Sequence, residues 1–70
     1  MMLTVNGEPR ESIATNLADL WRSETENLHP DSPNGYAIAL NGALIRKDKW
    51  LSTMLSDGDR VEIVRAMRGG

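Results

Sequence analysis

Several residue types that carry chemistry are scarce or missing in this 70-residue chain. It has no cysteine, which excludes disulfides, thiolate metal ligands and a thiol nucleophile. It has one histidine, too few for the histidine clusters that bind zinc. Eight basic and ten acidic side chains give a net charge of −2, which argues against a basic nucleic-acid-binding surface. We therefore expect no metal site and no nucleic-acid partner, and too few catalytic groups for an enzyme.

A long apolar run is missing as well. The N-terminal sequence MMLTVNGEPRE has no basic flank followed by an apolar stretch, so we expect neither a secretion signal nor a membrane span. Together with the absence of cysteine, this favours a reducing, cytoplasmic location. At this length, and without internal repeats, the sequence predicts a single domain over residues 1–70.

The N-terminal residues predict a hairpin. Residues 2–5 alternate with a period of two, and they lead into Asn6-Gly7, a strong two-residue hairpin signal. A second strand is therefore predicted over residues 8–12. Pro9 lacks a backbone N–H, which favours a position at the edge of the sheet for that strand.

The hydrophobic period changes after Asn16. Leu17 and Leu20 recur at the spacing of one helical face, and Asn16 followed three residues later by Asp19 resembles a capping box. This pattern predicts one amphipathic helix that begins after Asn16 and ends at about Asn27.

Three more strands are predicted after residues 29–35, whose turn-forming residues cannot continue a helix. Asn41-Gly42 is a second hairpin signal, and Asp57-Gly58-Asp59 is a turn that leads into the last strand. The predicted strands are residues 36–40, 43–45 and 60–65.

One helix and a four- to five-stranded sheet bury their apolar faces most economically when the helix lies across the sheet. The sequence thus predicts an α+β fold with a mixed sheet and one helix packed across it. Trp21 and Trp50 are assigned to core and rim packing. The predicted core residues are Leu3, Val5, Ile13, Leu17, Leu20, Ile38, Leu40, Leu44, Leu55, Val61 and Ile63.

The order of elements and the C-terminal sequence RAMRGG together resemble a known family. A β-grasp order whose last strand runs out into Gly69-Gly70 looks like the ubiquitin-like superfamily. Within it, the stretch ALNG at residues 39–42, Trp50 after a charged linker and LSDGDRVEI at residues 55–63 are similar to the ThiS family of sulfur carriers. The resemblance covers nearly the whole chain, and it implies a ubiquitin-like β-grasp domain with a flexible C-terminal tail over residues 65–70.

The resemblance also implies that the carboxylate of Gly70 is the reactive group. A carboxylate is a poor electrophile, so a ThiF-like adenylating enzyme would activate it with ATP and Mg²⁺, while the carrier itself binds no cofactor. Sulfur from a sulfurtransferase or cysteine desulfurase would then replace AMP to give a thiocarboxylate. A ThiG-like thiazole synthase would take up that sulfur for the thiazole ring of thiamine.

Partner-binding residues are expected in the tail and on one face of the sheet. Glycines lack Cβ, so the tail can thread a narrow cleft. Alternation places the alanines of residues 36–40 opposite the core, and a flat, weakly apolar patch forms if this strand adjoins the last one. The alternative is that these alanines fill an ordinary solvated face. The predicted partner-binding residues are Ala37, Ala39, Val64, Arg65, Ala66, Met67, Arg68 and Gly69.

Two other functions remain open from the residues alone. A MoaD-like small subunit that delivers sulfur to molybdopterin shares the architecture, but such subunits are usually longer and richer in Phe near the tail, and this chain has no Phe. A ubiquitin-like modifier or interaction domain is the third possibility. Arg68 lies where many ThiS family members carry an apolar residue, and the resulting tail faintly resembles that of ubiquitin.

Overall fold

The computed structural model describes residues 1–26 and 35–65, and residues 27–34 and 66–70 lie outside this part. The described residues form five strands and one α-helix. In chain order the elements are β1 (Met2–Val5), β2 (Glu8–Glu11), α1 (Leu17–Glu24), β3 (Tyr36–Leu40), β4 (Ala43–Ile45), a 3₁₀ helix (Lys47–Lys49) and β5 (Arg60–Arg65).

The strands form one mixed sheet in the order β2-β1-β5-β3-β4. β1 and β5 run parallel, with Val5 opposite Val61, whereas the other neighbouring pairs are antiparallel. β2 lies at one edge, as the position of Pro9 predicts. The last strand of the chain is therefore the central strand of the sheet.

Both predicted hairpins are confirmed. Asn6 and Gly7 have φ angles of 52° and 82°, and Asn41 and Gly42 have φ angles of 52° and 89°. Positive φ at both central residues is the geometry of a type I′ turn, whose twist matches that of the flanking strands. These turns fix the register of β1 with β2 and of β3 with β4.

The predicted helix start is also confirmed. The Asn16 Oδ1 accepts the N–H of Asp19 at 2.9 Å, and the Asn16 Nδ2 donates to the Asp19 carboxylate at 3.2 Å. The first two N–H groups of α1 donate to the carbonyls of Thr53 and Trp50, at 3.2 and 3.3 Å. The loop before β5 thus satisfies helix donors that would otherwise lack partners.

The helix ends at Glu24, earlier than the predicted end at about Asn27, which lies outside the described residues. Thr25 is the C-cap residue, and it is buried with φ −105°. Its N–H makes the i→i−4 bond to the carbonyl of Trp21 at 3.0 Å, and its hydroxyl donates to the same carbonyl at 2.7 Å. The side chain of Thr25 thus ties the end of the helix to its own last turn.

The core lies between α1 and one face of the sheet. Leu40 and Ile63, which were predicted to belong to it, are only partly buried and pack against it. Its buried side chains come from β1, α1, β3, β5 and the two connections beside the helix. These residues are Leu3, Val5, Ala14, Leu17, Leu20, Ile38, Trp50, Leu55 and Val61.

Two predicted core residues are exposed instead. Ile13 is 98% exposed, because it lies in the connection between β2 and α1, where no strand or helix period fixes its direction. Leu44 is 73% exposed, because its register on β4 places it opposite Ala39, on the sheet face away from the helix. The prediction for Leu44 was wrong because of strand register, and the prediction for Ile13 was wrong because this residue lies outside the strands and the helix.

The assignment of the tryptophans to core and rim packing is confirmed. Trp50 is 3% exposed, and its Nε1–H donates to the carbonyl of Ile45 at 3.0 Å. Trp21 is partly buried and contacts both Trp50 and Tyr36, with ring centroids 6.1 and 5.5 Å apart. The three rings close the core at the end of the helix, next to the start of β3.

Candidate functional site

The sheet face opposite α1 is not covered by any element that the structure describes. Alternate residues of each strand point to this side, and three of the larger ones are well exposed. Met2 is 45%, Val64 is 55% and Leu44 is 73% exposed. Exposed apolar side chains that share one face are the usual sign of a contact surface.

The pairing of β3 with β5 brings the predicted patch together. Ala37 is directly opposite Val64, and Ala39 is opposite Glu62 on one side and Leu44 on the other. The two strands are therefore adjacent, as the predicted patch requires. We call Ala37, Ala39, Leu44 and Val64 the outer patch.

The composition of the outer patch suits close contact with another protein. Ala37 and Ala39 keep its centre flat, because a methyl group projects little from the backbone. Leu44 and Val64 flank them and supply most of the exposed apolar area. Glu62 is exposed beside Ala39 and adds one negative charge at the border of the apolar surface. An apolar centre with a charge at its border is a common interface composition.

Leu44 was missed as a site residue when it was assigned to the core. The signal was available in the sequence: a two-residue Asn41-Gly42 turn pairs Leu40 with Ala43, and therefore Ala39 with Leu44. Paired residues share a face of the sheet. Once Ala39 was assigned to the outer face, Leu44 had to follow.

Arg65 is the last residue of β5 and lies on the other side of the sheet from Val64. It pairs with Tyr36, and both residues line a cavity of about 210 Å³ together with Asn6 and Ile63. The predicted partner residue Arg65 is thus separate from the outer patch. The other predicted tail residues, Ala66, Met67, Arg68, Gly69 and Gly70, lie outside the described residues.

Apart from the outer patch and the cavity beside Arg65, the described residues bring no predicted site residues together. A groove of about 750 Å³ lies between α1 and the connection that contains Ile13, and no predicted site residue lines it. Within residues 1–26 and 35–65, no three His, Cys, Asp or Glu side chains are grouped to hold a metal ion. In the same part of the chain, no helix has the length and apolar character needed to cross a membrane.

A five-stranded mixed sheet crossed by one helix, with the last strand at its centre, defines the β-grasp fold of ubiquitin-like proteins. Residues 3–70 match the ThiS family, and the chain belongs to this family. The resemblance found in the sequence is therefore confirmed, and so is the predicted fold. No curated protein sequence matches the chain.

Two solved structures support the same assignment. One is the crystal structure of the thiamine biosynthesis protein (ThiS) from Geobacter metallireducens, whose sequence is 30% identical to this chain. The alignment covers both chains completely, and the TM-score is 0.75. The other is a solution NMR structure of a thiamine biosynthesis protein from the same organism, also with 30% sequence identity to this chain. The alignment covers all of this chain and 88% of the other, and the TM-score is 0.70.

Proposed function

We propose that this protein carries sulfur as a thiocarboxylate on Gly70 and supplies it for the thiazole ring in thiamine biosynthesis. The observation that carries the proposal is the family match, which extends through Gly70 and so includes the terminal Gly69-Gly70. In the chain, these glycines follow the central strand of the sheet by only a few residues. The name of the similar protein from Geobacter metallireducens agrees with this role.

The chemistry begins with the carboxylate of Gly70. Its oxygen attacks the α-phosphorus of ATP on a ThiF-like adenylating enzyme, pyrophosphate leaves, and an acyl-adenylate forms. The terminal sulfur of a persulfide on a sulfurtransferase or cysteine desulfurase then attacks the carbonyl carbon, the bond to the adenylate oxygen breaks, AMP leaves, and an acyl disulfide forms. A second thiol supplied by the partner proteins then attacks the partner's sulfur in this acyl disulfide, which releases the thiocarboxylate and leaves the two partner sulfurs joined as a disulfide. Mg²⁺ and ATP belong to the partner, and the carrier contributes the carboxylate.

The outer patch is the surface proposed to dock on the adenylating enzyme. Val64 belongs to it and precedes Gly70 by six residues, which span at most about 20 Å when fully extended. An enzyme that holds the outer patch can therefore receive the Gly70 carboxylate in a catalytic site up to that distance away. The same arrangement would serve a ThiG-like thiazole synthase. The expected cytoplasmic location remains a prediction.

The length of the chain after β5 tests the proposal. Deletion of Gly70, or addition of one alanine after it, moves the carboxylate by about 3.5 Å along an extended chain. Reaction at phosphorus needs the attacking oxygen near contact distance, so both variants should lose ATP–pyrophosphate exchange with the adenylating enzyme. Gly69→Val should retain partial exchange, because a side chain restricts the backbone but leaves the length unchanged.

Thermal unfolding is the control, since the melting temperature of all three variants should equal that of the wild type. Mass spectrometry of protein from sulfur-replete cells should show one sulfur-for-oxygen exchange on the C-terminal peptide. If the variant with one added alanine shows normal ATP–pyrophosphate exchange, and no sulfur is found at the C-terminus, the results would favour a ubiquitin-like modifier or interaction domain. A thiocarboxylate that is transferred to a molybdopterin precursor and not to thiazole synthase would favour the MoaD-like role.

A further inference from the structure

Two opposite charges lie side by side on the outer face of the central strand. Val61 of β5 is 1% exposed beneath the helix, and Val64 is 55% exposed on the opposite face. Because side chains alternate along a strand, Arg60 and Glu62 share the face of Val64, and both are exposed. The outer face of β5 thus presents a positive, a negative and an apolar side chain in turn, about 7 Å apart.

The cross-strand neighbours of these two charges are small and uncharged. Thr4 of β1 lies opposite Arg60, and Ala39 of β3 lies opposite Glu62. Neither neighbour supplies an opposite charge or covers a long side chain. The guanidinium and the carboxylate therefore stand on the surface that a docking protein would meet.

Neither charge is neutralised within residues 1–26 and 35–65. The ion pairs found there join other groups, and neither Arg60 nor Glu62 takes part in one. Arg46 and Asp48 have the same spacing of two residues but pair at 3.5 Å, because they lie at the start of the 3₁₀ helix, where the chain curls. On the extended strand β5, the two side chains project in parallel and stay available to a partner.

We propose that the adenylating enzyme meets this pair with an acidic side chain opposite Arg60 and a basic side chain opposite Glu62. The order of the two charges then fixes the direction in which the carrier docks, an inference that rests on the proposed function. Val64 belongs to the outer patch and follows Glu62 on the same face, so a partner that covers the patch also reaches both charges. Docking in the reverse direction would bring like charges together, which costs affinity.

An exchange of the two charges tests their order separately from the composition. The double variant Arg60→Glu with Glu62→Arg keeps the net charge of −2. Its Kd for the adenylating enzyme, measured by surface plasmon resonance, should rise by at least about tenfold, because both contacts become repulsive. Arg60→Gln and Glu62→Gln each remove one contact only, and each should raise the Kd by about two- to fivefold.

The chain offers a matched control for this exchange. Arg46→Asp with Asp48→Arg exchanges a charge pair of the same spacing outside the sheet, and its Kd should equal that of the wild type. Thermal melts should show all variants folded, since the exchange on β5 breaks no ion pair in the described part of the chain. If the control exchange weakens binding as much as the exchange on β5, the inference is wrong.

Salt provides a second readout, because it screens attraction and repulsion alike. In about 1 M NaCl the Debye length is about 3 Å, so the Kd of the wild type should rise while that of the β5 exchange variant falls. A Kd that rises with salt in both would overturn the inference, and so would an unchanged Kd in both glutamine variants.

The comparison with the wild type separates this inference from the proposed function. If the wild type and the β5 exchange variant bind the adenylating enzyme equally well, the inference fails and the proposed function stands. If the wild type forms no complex with that enzyme, the proposed function fails, and the inference fails with it.

Discussion

The two faces of the sheet are built from the same strands but differ in what covers them. On the inner face, Ile38 of β3 and Val61 of β5 are 0% and 1% exposed beneath α1. On the outer face, Val64 of β5 is 55% exposed, and Ala37 lies beside it. Because neighbouring residues in a strand point to opposite sides, the fold and the proposed docking surface use alternate positions of one sequence. Substitutions on the inner face should therefore change mainly stability, and substitutions on the outer face should change mainly binding.

The faces also differ in side-chain size. The inner face carries large branched residues that fill the space against Leu17 and Leu20 of the helix. The outer patch has alanines at its centre, which keeps the exposed apolar area small for a free protein. This small apolar area suits the proposed docking surface, which is exposed to water in the free protein and covered in a complex.

The largest effect should come from two leucine substitutions that compare the faces. Leu20→Ala empties a fully buried site and should reduce the free energy of unfolding by about 2–5 kcal/mol. Leu44→Ala removes the same atoms from a side chain that is 73% exposed, and it should change the free energy by less than about 0.5 kcal/mol. Urea unfolding of both variants measures the difference.

The same two variants should reverse their order in a binding measurement. Leu44→Ala should weaken binding to the adenylating enzyme, whereas Leu20→Ala should retain its affinity wherever it is folded. Equal destabilisation by the two substitutions would mean that Leu44 is buried in solution, and the outer face would then not be free.

A charged residue at the centre of the outer patch should have the next largest effect. Ala39→Arg places a long cation where a partner must pack closely, and its affinity for the adenylating enzyme should fall about tenfold, or about 1.4 kcal/mol. The fold should tolerate the change, because Glu62 lies directly opposite and can pair with the new charge. Isothermal titration calorimetry measures the affinity, and a thermal melt checks the fold.

The control for Ala39→Arg is Ser52→Arg, which adds the same side chain at an exposed position in the loop after the 3₁₀ helix. It should leave the affinity unchanged. Val64→Asp provides a second disruption of the outer patch with the opposite charge, and it should also weaken binding. If all three variants bind like the wild type, the outer patch is ordinary solvated surface.

Local signals in the sequence predicted most of this fold. The Asn6-Gly7 and Asn41-Gly42 turns and the Asn16 cap each depend on a few neighbouring residues, and each is present as predicted. The predicted end of the helix and the predicted core position of Ile13 were wrong, because both depend on contacts outside any local period.

The candidate site was only partly predictable for the same reason. Ala37, Ala39 and Val64 followed from alternation, and the pairing of β3 with β5 brings them together. The hydrogen bond from the N–H of Ile63 to the side chain of Asn6 joins residues 57 positions apart, both of which line the cavity beside Arg65. Nothing near Asn6 in the sequence distinguishes it from an ordinary turn residue, so this contact required the structure.

The smallest effect on binding should come from replacing valine with threonine on each face of β5. Val61→Thr puts a hydroxyl into the core and should cost about 1–3 kcal/mol of stability, because little space remains for a hydrogen-bond partner. Val64→Thr keeps the branched shape at an exposed position and should change stability by less than about 0.5 kcal/mol. In the complex, however, the hydroxyl that Val64→Thr introduces would lose water, so affinity for the adenylating enzyme should fall by about two- to threefold. An unchanged affinity would mean that Val64 contributes shape and not apolar burial, and the docking surface would then be centred on Ala39 and Leu44.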